Sequence, residues 1–482
     1  MTKAHLKASA VEIAAMIRTG DVSSVEVVEA HIRLIERVNP RINAMVVSRF
    51  SQARKEAIAA DAAIARGDDL TSRPLHGVPC SIKESIGLTG MPFTSGLVSR
   101  QGVEATEDAA TVARLRAAGA IPLGVTNTSE LCMWLESSNR VYGRSNNPYD
   151  ASRIVGGSSG GEGAIVGAGC VPFGLGADVG GSIRLPAFFN GVFGHKPSPG
   201  LVPNAGQYPL PDRESGHRLL GTGPITRYAR DLYPLLQILS GPHEGVGDQL
   251  SPSQPESVRM EDLRVIVVTD DSGRTPVSSV IKESIEDAAN HLRSRGADVR
   301  HARFPRLRRA IEHWAVRMHQ GSSISFTERL EDGKPIRIGR ELLSALRGTS
   351  AFTLPALGLA MIEKTIPFRE SGMESVLQNA AELRREIEEA MGPHGVMLYP
   401  TYPSVAPRHG EPLLWPVRFV YTAAINTLEL PSTQVPMGLD HQGLPKGFQV
   451  ITTPHNDFRS IAVAIELERA FGGWVPPPRP SR

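Results

Sequence analysis

The sequence predicts an α/β protein, because segments with a helical pattern and segments with a strand pattern alternate along the chain. The alternation is clearest in two stretches, a helix followed by a strand between residues 108 and 125 and a strand–helix–strand unit between 263 and 303. Such alternation is typical of a β-sheet covered by helices. At 482 residues the chain is long enough to bury a large core within one domain.

The first predicted element is an entry helix near the N-terminus. Ser23 and Glu26 are spaced as in a capping box, in which each side chain bonds to the backbone N–H of the other residue. The apolar residues that follow recur at the spacing of one helix face as far as Asn39-Pro40. We expect the helix to end there, because proline breaks a helix.

The two later units are interpreted in the same way. The helix predicted over 108–118 is stopped by Gly119, because glycine readily adopts the left-handed conformation that ends helices. The apolar run Ile121–Val125 then predicts a buried strand. The second unit is predicted as a strand over 263–268, a helix over 280–295 that ends at Gly296, and a strand over 297–303.

Charge and cysteine content limit the classes of function. The chain has 52 Lys and Arg residues and 50 Asp and Glu residues, which gives a formal charge of +2. This charge is too small to indicate a nucleic-acid-binding surface, so a small-molecule partner is favoured. The three cysteines are too few and too far apart for a disulfide framework or a CxxC zinc site, as expected in a reducing cytoplasm. Without a signal-peptide pattern or an apolar run of about 18 residues, we expect a soluble chain with no membrane span.

Two serine-and-glycine blocks are the most informative part of the sequence. The first spans 156–161 with the sequence GGSSGG, and the second spans 176–184 with the sequence GADVGGSIR, so that Ser158 and Ser182 lie 24 residues apart. Each glycine inside a helix or strand costs roughly 0.5–1 kcal/mol of stability. We therefore interpret the blocks as a site where the backbone must approach a ligand closely.

The blocks do not match the common nucleotide-binding motifs. Neither contains the GxxxxGK[ST] loop that cradles phosphates or the GxGxxG turn that binds dinucleotides. Residues 156–160 do match GxSxG, the nucleophile elbow of α/β-hydrolases, with Ser158 as the nucleophile and His441 or His455 as the triad histidine. That alternative leaves the second block unexplained.

An interpretation that uses both blocks puts acyl-transfer chemistry at the second one, with Ser182 as the nucleophile. A nest for the oxyanion of a tetrahedral intermediate is offered by the backbone N–H groups of Val179, Gly180, Gly181 and Ser182. A serine hydroxyl needs a base, and Lys83 is a single lysine in the apolar, strand-like segment 78–84. Burial there would favour a neutral lysine that can accept a proton, whereas a surface lysine would keep its own.

Together these segments resemble the amidase signature family of hydrolases. The resemblance covers the Lys83 segment, 119–127, Asn147-Pro148, both serine-glycine blocks and 191–197. Within the family it is nearest to the fatty-acid amide hydrolases of the second vertebrate type, through ELCMW at 130–134 and YGRSNNPYD at 142–150. The resemblance implies a central mixed β-sheet flanked by helices on both faces, in a single domain over 1–482. The signature core would span about 75–230, and a divergent substrate-channel and lid region about 250–395.

The resemblance also implies a Ser–Ser–Lys triad that needs no metal or cofactor. Ser182 is then the nucleophile, Ser158, placed after a cis peptide bond, relays its proton, and Lys83 is the neutral base that receives it. The N–H groups of residues 179–182 form the oxyanion hole. Attack gives an acyl-enzyme, and water then releases the acid. Ser158 thus becomes the relay rather than the nucleophile.

Several neighbouring residues are expected to assist. Ser159 either supports the lysine network or caps the helix that follows it. Asp178 and Arg184 flank the nucleophile loop and are expected to hold its shape. Three residues are candidates for the acyl pocket near the reacting carbonyl: Cys132, Met133 and Trp134. The alternative is that they pack in the core.

The substrate is predicted only as a class, a fairly apolar amide of fatty-acyl, aryl or anilide type, with carbamates and esters open. Six aromatic residues are candidates for the lining of an apolar channel: Trp134, Phe188, Phe189, Trp415, Phe419 and Tyr421. The alternative is that they pack in the core. The uncharged segment Gly348–Ile362 is a candidate for a mobile lid. Other hypotheses are a glutaminase subunit of a tRNA-dependent amidotransferase, which shares the triad, and a catalytically silent scaffold. A homodimer is an open expectation.

Overall fold

The centre of the described part of the protein is a mixed β-sheet of eleven strands. The computed structural model describes residues 5–244, 247–269, 275–331, 333–334, 336–365 and 370–478. In chain order, the strands in these residues are β1 (Met45–Ser48), β2 (Pro79–Lys83), β3 (Ile121–Thr126), β4 (Ser138–Asn139), β5 (Gly143–Arg144), β6 (Phe173–Asp178), β7 (Phe193–Lys196), β8 (Gly221–Thr226), β9 (Arg264–Val267), β10 (Asp298–His301), β11 (Gly395–Tyr399), β12 (Ser432–Leu439) and β13 (Pro445–Thr452).

The order of the strands confirms the predicted mixed sheet. Across the sheet the strands lie in the order β1-β3-β2-β6-β8-β7-β12-β13-β11-β9-β10, and β4 and β5 form a separate hairpin. The neighbours β3, β2 and β6 run parallel to one another, as do β11, β9 and β10. The strands between these two groups pair antiparallel. The strand that ends at Lys83 therefore lies between two parallel neighbours.

Helices cover both faces of this sheet. In chain order they are α1 (Ala10–Thr19), α2 (Ser24–Ile42), α3 (Phe50–Ala65), α4 (Ala110–Ala117), α5 (Gly160–Gly167), α6 (Arg184–Phe189), α7 (Glu214–Leu219), α8 (Leu232–Leu239), α9 (Ser279–Ser294), α10 (Ala310–Gln320), α11 (Phe326–Leu330), α12 (Ile338–Leu346), α13 (Leu354–Thr365), α14 (Glu370–Met391), α15 (Glu411–Leu414), α16 (Val420–Thr427) and α17 (Asp457–Phe471). One hydrophobic cluster packs α1, α8, α9, α14 and α17 against the strands, and another packs α2, α3 and α5. No helix within the described ranges has both the length and the apolar character needed to cross a bilayer.

The predicted units are confirmed with small shifts at their ends. The helix and strand expected between 108 and 125 are α4 and β3, and the unit expected between 263 and 303 is β9, α9 and β10. The entry helix α2 begins as predicted, because Ser23 and Glu26 make both bonds of the capping box. Its predicted end was wrong, since α2 continues through Pro40 to Ile42. Pro40 lies in the last turn, and the helix ends only where Asn43 takes a left-handed conformation with φ of 45°.

Candidate active site

Lys83 is the last residue of β2, a strand whose five residues are all buried. Only 1% of Lys83 is exposed, and it forms no ion pair with a carboxylate in the described part of the chain. Its Nζ instead donates a hydrogen bond to Ser158 Oγ at 2.7 Å. The sequence-predicted base and relay serine are therefore in direct contact, although 75 residues separate them.

The first serine-glycine block crosses from a loop into the start of α5. The Gly157–Ser158 peptide bond is cis. Gly157 is packed so closely that a Cβ there would lie 2.2 Å from the Trp134 carbonyl oxygen, so only glycine fits. Ser159 occupies the N-cap position of α5, yet its hydroxyl bonds to the backbone of Ala177 instead of capping the helix.

The second block is a loop folded around a buried carboxylate. Asp178 accepts hydrogen bonds from the backbone N–H groups of Gly181, Ile183 and Arg184 and from the Arg184 guanidinium. Although burial acts in the opposite direction, the charge and the hydrogen bonds of Arg184 hold the pKa of Asp178 well below its usual range. Arg184 also donates to Thr422, Asn426 and Gln449, so the pair holds the loop between the sheet and α16.

The two blocks meet through their backbones. The Ser159 N–H donates to the Ser182 carbonyl oxygen at 3.2 Å. Ser182 retains 8% exposure, whereas Ser158 and Ser159 are 1% and 0% exposed. Of the three serines, Ser182 is thus the most exposed residue.

The candidate oxyanion groups differ in their partners. The N–H groups of Val179, Gly180 and Ser182 have no protein acceptor among the residues the structure describes. The Gly181 N–H is already engaged with Asp178 Oδ1 at 2.7 Å, and Gly181 has a φ of +127°, which favours glycine. Three of the four predicted donors are consequently available to an incoming oxyanion.

Glu162 is a buried carboxyl that sequence reasoning missed. It lies on α5 and accepts hydrogen bonds from Ser81 Oγ at 2.5 Å and from Thr126 Oγ1 at 2.7 Å. Burial raises the pKa of Glu162 to about 7, although the hydrogen bonds from these two hydroxyls act in the opposite direction. A Cβ at Gly174 would lie 1.7 Å from Glu162 Oε2, so the carboxyl occupies the space that this glycine leaves. The signal in the sequence was a single charge in the long uncharged stretch between Arg153 and Asp178.

A cavity of about 530 Å³ opens beside Lys83 and Ser158. Such a volume suits a drug-sized or short-chain ligand. Its apolar lining consists mainly of Leu131, Met133, Leu210, Leu219, Leu220, Trp314, Met318, Ile324, Phe326, Leu359 and Ile362. Cys132 and Val179 also line the cavity, whereas Trp134 and Ser182 are not among the lining residues.

The predicted channel aromatics have other surroundings. Phe188, Phe189 and Tyr421 are fully buried, and Phe189 packs edge-to-face against Tyr402. Trp415 is 53% exposed and lies under the Arg418 guanidinium. The channel interpretation of these four side chains was wrong, because Phe188, Phe189 and Tyr421 are buried in the core, Trp415 is exposed, and none of them lines the cavity. The aromatic residues that do line the cavity are Tyr208, Trp314 and Phe326.

The segment predicted as a lid contributes helix α13, which begins at Leu354 and carries the lining residues Leu359 and Ile362. The helix is attached by a carboxylate, because Glu130 accepts hydrogen bonds from both the backbone N–H and the hydroxyl of Thr353. Glu130 directly precedes the lining residue Leu131, so the cavity wall and the covering helix are joined. Whether the helix moves stays a prediction.

The α/β-hydrolase alternative does not fit this geometry. His441 and His455 are both exposed, and His455 lies 3.9 Å from Asp248 rather than near Ser158. The residue that contacts Ser158 Oγ is Lys83. Within the described ranges, no three His, Cys, Asp or Glu side chains come together as a metal site would require.

The fold and the Ser–Lys arrangement define a class of enzyme. The family model described as Amidase matches residues 26–460, and the chain belongs to this family. It is accordingly an amide-hydrolysing enzyme that acts on C–N bonds other than peptide bonds.

Within the family, the chain is similar to fatty-acid amide hydrolases. Fatty-acid amide hydrolase 2-B of Danio rerio is 45% identical over 99% of this chain and 92% of its own length. Fatty-acid amide hydrolase 2 of Homo sapiens is 43% identical over 99% of this chain and 91% of its own length. A solved structure described as fatty acid amide hydrolase matches 98% of this chain and 87% of that chain with a TM-score of 0.81, and at 23% identity it shows a shared fold.

Proposed function

We propose that this protein is a serine amidohydrolase that cleaves a fairly apolar amide through an acyl-enzyme, with Ser182 as nucleophile, Ser158 as proton relay and Lys83 as base. The observation that carries the proposal is the 2.7 Å hydrogen bond between Lys83 Nζ and Ser158 Oγ, beside the loop of Ser182. Lys83 is buried and forms no ion pair with a carboxylate among the described residues, and its Nζ lies where it can receive the proton of Ser158.

The proposed reaction moves one proton along the triad in each direction. Ser182 Oγ attacks the carbonyl carbon while its proton passes to Ser158 and the proton of Ser158 passes to Lys83 Nζ. Collapse of the tetrahedral intermediate breaks the C–N bond, and the proton returns along the relay to the leaving nitrogen. Water then repeats the sequence on the acyl ester and releases the acid. Lys83 would thus act first as base and then as the source of the acid proton.

The oxyanion of the intermediate would be bound by the nucleophile loop. The N–H groups of Val179, Gly180 and Ser182 have no acceptor in the described part of the chain and are suited to this role. The Gly181 N–H would have to leave Asp178 in order to take part. We expect Gly181 to contribute through the backbone turn that its positive φ allows.

The cavity supports an apolar acyl or aryl group as the substrate's recognised part. Most of the side chains that line it are aliphatic or aromatic, and the charged ones among the lining residues are few. The printed names of the two vertebrate relatives, fatty-acid amide hydrolases, point to the same class. We therefore favour fatty-acyl, aryl or anilide amides, with esters and carbamates of similar shape as further substrates. A cytoplasmic location, without nucleic acid, is part of the same proposal.

The glutaminase alternative is less well supported. A glutamine side chain needs several polar partners in its pocket, because an unpaired buried amide group costs free energy. The lining of this cavity is instead mainly apolar. Glutaminase activity that appears only with partner chains would reverse this preference.

A labelling experiment tests the proposed nucleophile. The wild-type protein is treated with a fluorophosphonate probe, and the adduct is located by peptide mass spectrometry. We expect the label on Ser182, and we expect Ser182→Ala to abolish both labelling and amide hydrolysis. Lys83→Ala and Ser158→Ala should each lower kcat by at least about a hundredfold, the range typical of lost acid–base groups. A label on Ser158, or near-normal turnover in any of the three variants, would refute the triad.

Ser198→Ala serves as the matched control for the serine variants. Ser198 is also a buried serine, and its hydroxyl donates to Asp457 at 2.5 Å, but it does not line the cavity. We expect this variant to lose stability while keeping its labelling rate and kcat. The substrate panel consists of primary amides and anilides of increasing acyl length, with L-glutamine as the polar comparison.

A further inference from the structure

We propose that Trp314 positions the oxyanion hole by fixing the Val179–Gly180 peptide group. This inference rests on the proposed function, since it assumes that the loop before Ser182 binds the oxyanion. Trp314 lies on α10, within the stretch of the chain that sequence motifs do not describe, and it also lines the cavity. It would be a positioning residue, because it acts on the reacting atoms through the loop.

The first observation is a direct hydrogen bond from the indole to the loop. Trp314 Nε1 donates to the Val179 carbonyl oxygen at 2.9 Å. The indole also lies against the next residue, because a Cβ at Gly180 would be 3.1 Å from Nε1 and 3.4 Å from two ring carbons. The missing side chain of Gly180 therefore makes room for Trp314. Phe419 packs edge-to-face on the indole with ring centroids 5.0 Å apart and limits its rotation.

The second observation concerns the neighbouring peptide group. The Gly180 carbonyl oxygen accepts a hydrogen bond from Thr422 Oγ1 at 2.8 Å, and the Gly181 N–H in the same plane donates to Asp178 Oδ1 at 2.7 Å. Both ends of the Gly180–Gly181 peptide group are therefore held by the protein. The two consecutive peptide planes contain the carbonyl groups of Val179 and Gly180 and the N–H groups of Gly180 and Gly181. Of these four groups, the Gly180 N–H is the one without an acceptor among the described residues.

The rigid peptide plane links these bonds to the chemistry. In a trans peptide group the C=O and the N–H point in opposite directions, so a carbonyl held by the indole fixes the direction of the Gly180 N–H. Gly180 and Gly181 both lack a Cβ, and glycine gives the backbone little resistance to rotation. Without the indole bond, the Val179–Gly180 peptide group is able to turn over and present its carbonyl oxygen, which repels an oxyanion. Trp314 opposes that rotation.

The test compares two variants, one at Trp314 and one at a tryptophan that makes the same kind of hydrogen bond elsewhere in the protein. Trp314→Phe keeps an aromatic ring but removes the donor. Trp474→Phe is the matched control, because Trp474 Nε1 also donates to a backbone carbonyl at 2.9 Å, that of Gly167, outside the cavity lining. We expect kcat of Trp314→Phe to fall by about tenfold to a hundredfold, below the 10²–10³ typical of deleting an oxyanion donor outright. Trp474→Phe should lower thermal stability and leave kcat within about twofold.

A transition-state analogue separates positioning from packing. An alkyl trifluoromethyl ketone adds to Ser182 and places an oxyanion in the loop, whereas the matching fatty alcohol only fills the cavity. We expect Trp314→Phe to weaken binding of the ketone by the same factor as kcat and to change binding of the alcohol much less. Equal losses for both ligands, or an unchanged kcat, would overturn the inference.

Two further results bear on the positioning role of Trp314. If Trp314→Phe does not fold, 3-benzothienylalanine at position 314 keeps the ring shape and replaces the N–H by sulfur, and the same loss of kcat is expected. Normal kcat with this residue would overturn the inference. If the wild-type protein is not labelled at Ser182 by a fluorophosphonate, the proposed function fails and the inference fails with it. A labelled wild type with a fully active Trp314→Phe contradicts the inference alone.

Discussion

Glu162→Gln should change how the stability of this protein depends on pH. Burial raises the pKa of Glu162 from 4.5 to about 7, so the folded chain keeps a proton that the unfolded chain loses in this interval. Between these values the native state binds more protons than the unfolded state, and stability falls as pH rises. The contribution of Glu162 is therefore complete below about pH 4.5 and lost above about pH 7.

The size of the effect follows from the same numbers. A tenfold change in proton affinity corresponds to about 1.4 kcal/mol, so the interval from 4.5 to about 7 corresponds to about 3 kcal/mol of unfolding free energy. Glutamine is an uncharged isostere that can still bond to the rotatable hydroxyls of Ser81 and Thr126. The variant should hence match the wild type near pH 5 and be more stable by about 2–3 kcal/mol at pH 8.

The assay is urea unfolding of both proteins at pH 5, 6, 7 and 8, followed by tryptophan fluorescence. Burial also raises the pKa of Asp231 to about 6 and that of Glu468 to about 7. Both groups titrate in the wild type and in the variant, so their contributions cancel in the difference between the two unfolding free energies. Glu283→Gln is the control, because Glu283 is exposed on α9 and should keep the wild-type pH dependence. Parallel pH profiles for wild type and Glu162→Gln would refute the reasoning.

Two other predictions concern the supports of the site. Arg184→Ala should lower the free energy of unfolding in urea by about 3–5 kcal/mol, because it leaves the buried Asp178 carboxylate without its cation; a loss below about 1 kcal/mol would contradict this view of the pair. Glu130→Ala should speed amide hydrogen exchange at the start of α13, because Thr353 loses the acceptor of its N–H and hydroxyl. Unchanged exchange in Leu354–Ala360, measured by mass spectrometry, would show that the carboxylate does not hold this helix.

The parts of the fold that could be predicted are those whose side chains show a simple pattern. The strands β3 and β9 are apolar runs next to a helical stripe, and both were predicted. The central strands β12 and β13 were not, because they carry buried polar side chains such as Gln434 and Gln449, which face each other in the sheet. Gln449 accepts a hydrogen bond from Arg184, so its polarity serves a contact that no local pattern reveals.

The same distinction applies to the site. Ser158 and Ser182 could be proposed from the sequence because their loops need glycines close together in the sequence, and these leave a visible pattern. The place of Trp314 beside the loop could not be predicted, because an aromatic residue on an amphipathic helix has the same pattern whether it packs in a core or against a loop. The aromatic residues chosen from the sequence as channel walls failed for this reason, and Phe188 and Phe189 belong to the core.

The position of Trp314 bears on how the reaction and the substrate preference are linked. Of the 30 described residues that line the cavity, 14 come from the stretch between 314 and 363, which lies outside the two serine-glycine blocks. If those residues only shaped the cavity, substitutions among them would alter KM and leave the rate of acylation unchanged. Trp314 is one of them and is bonded to the loop of Ser182. If Trp314 positions the oxyanion hole as proposed, a ligand that shifts the indole also disturbs the Val179–Gly180 peptide group, and the fit of the ligand in the cavity then affects kcat as well as KM.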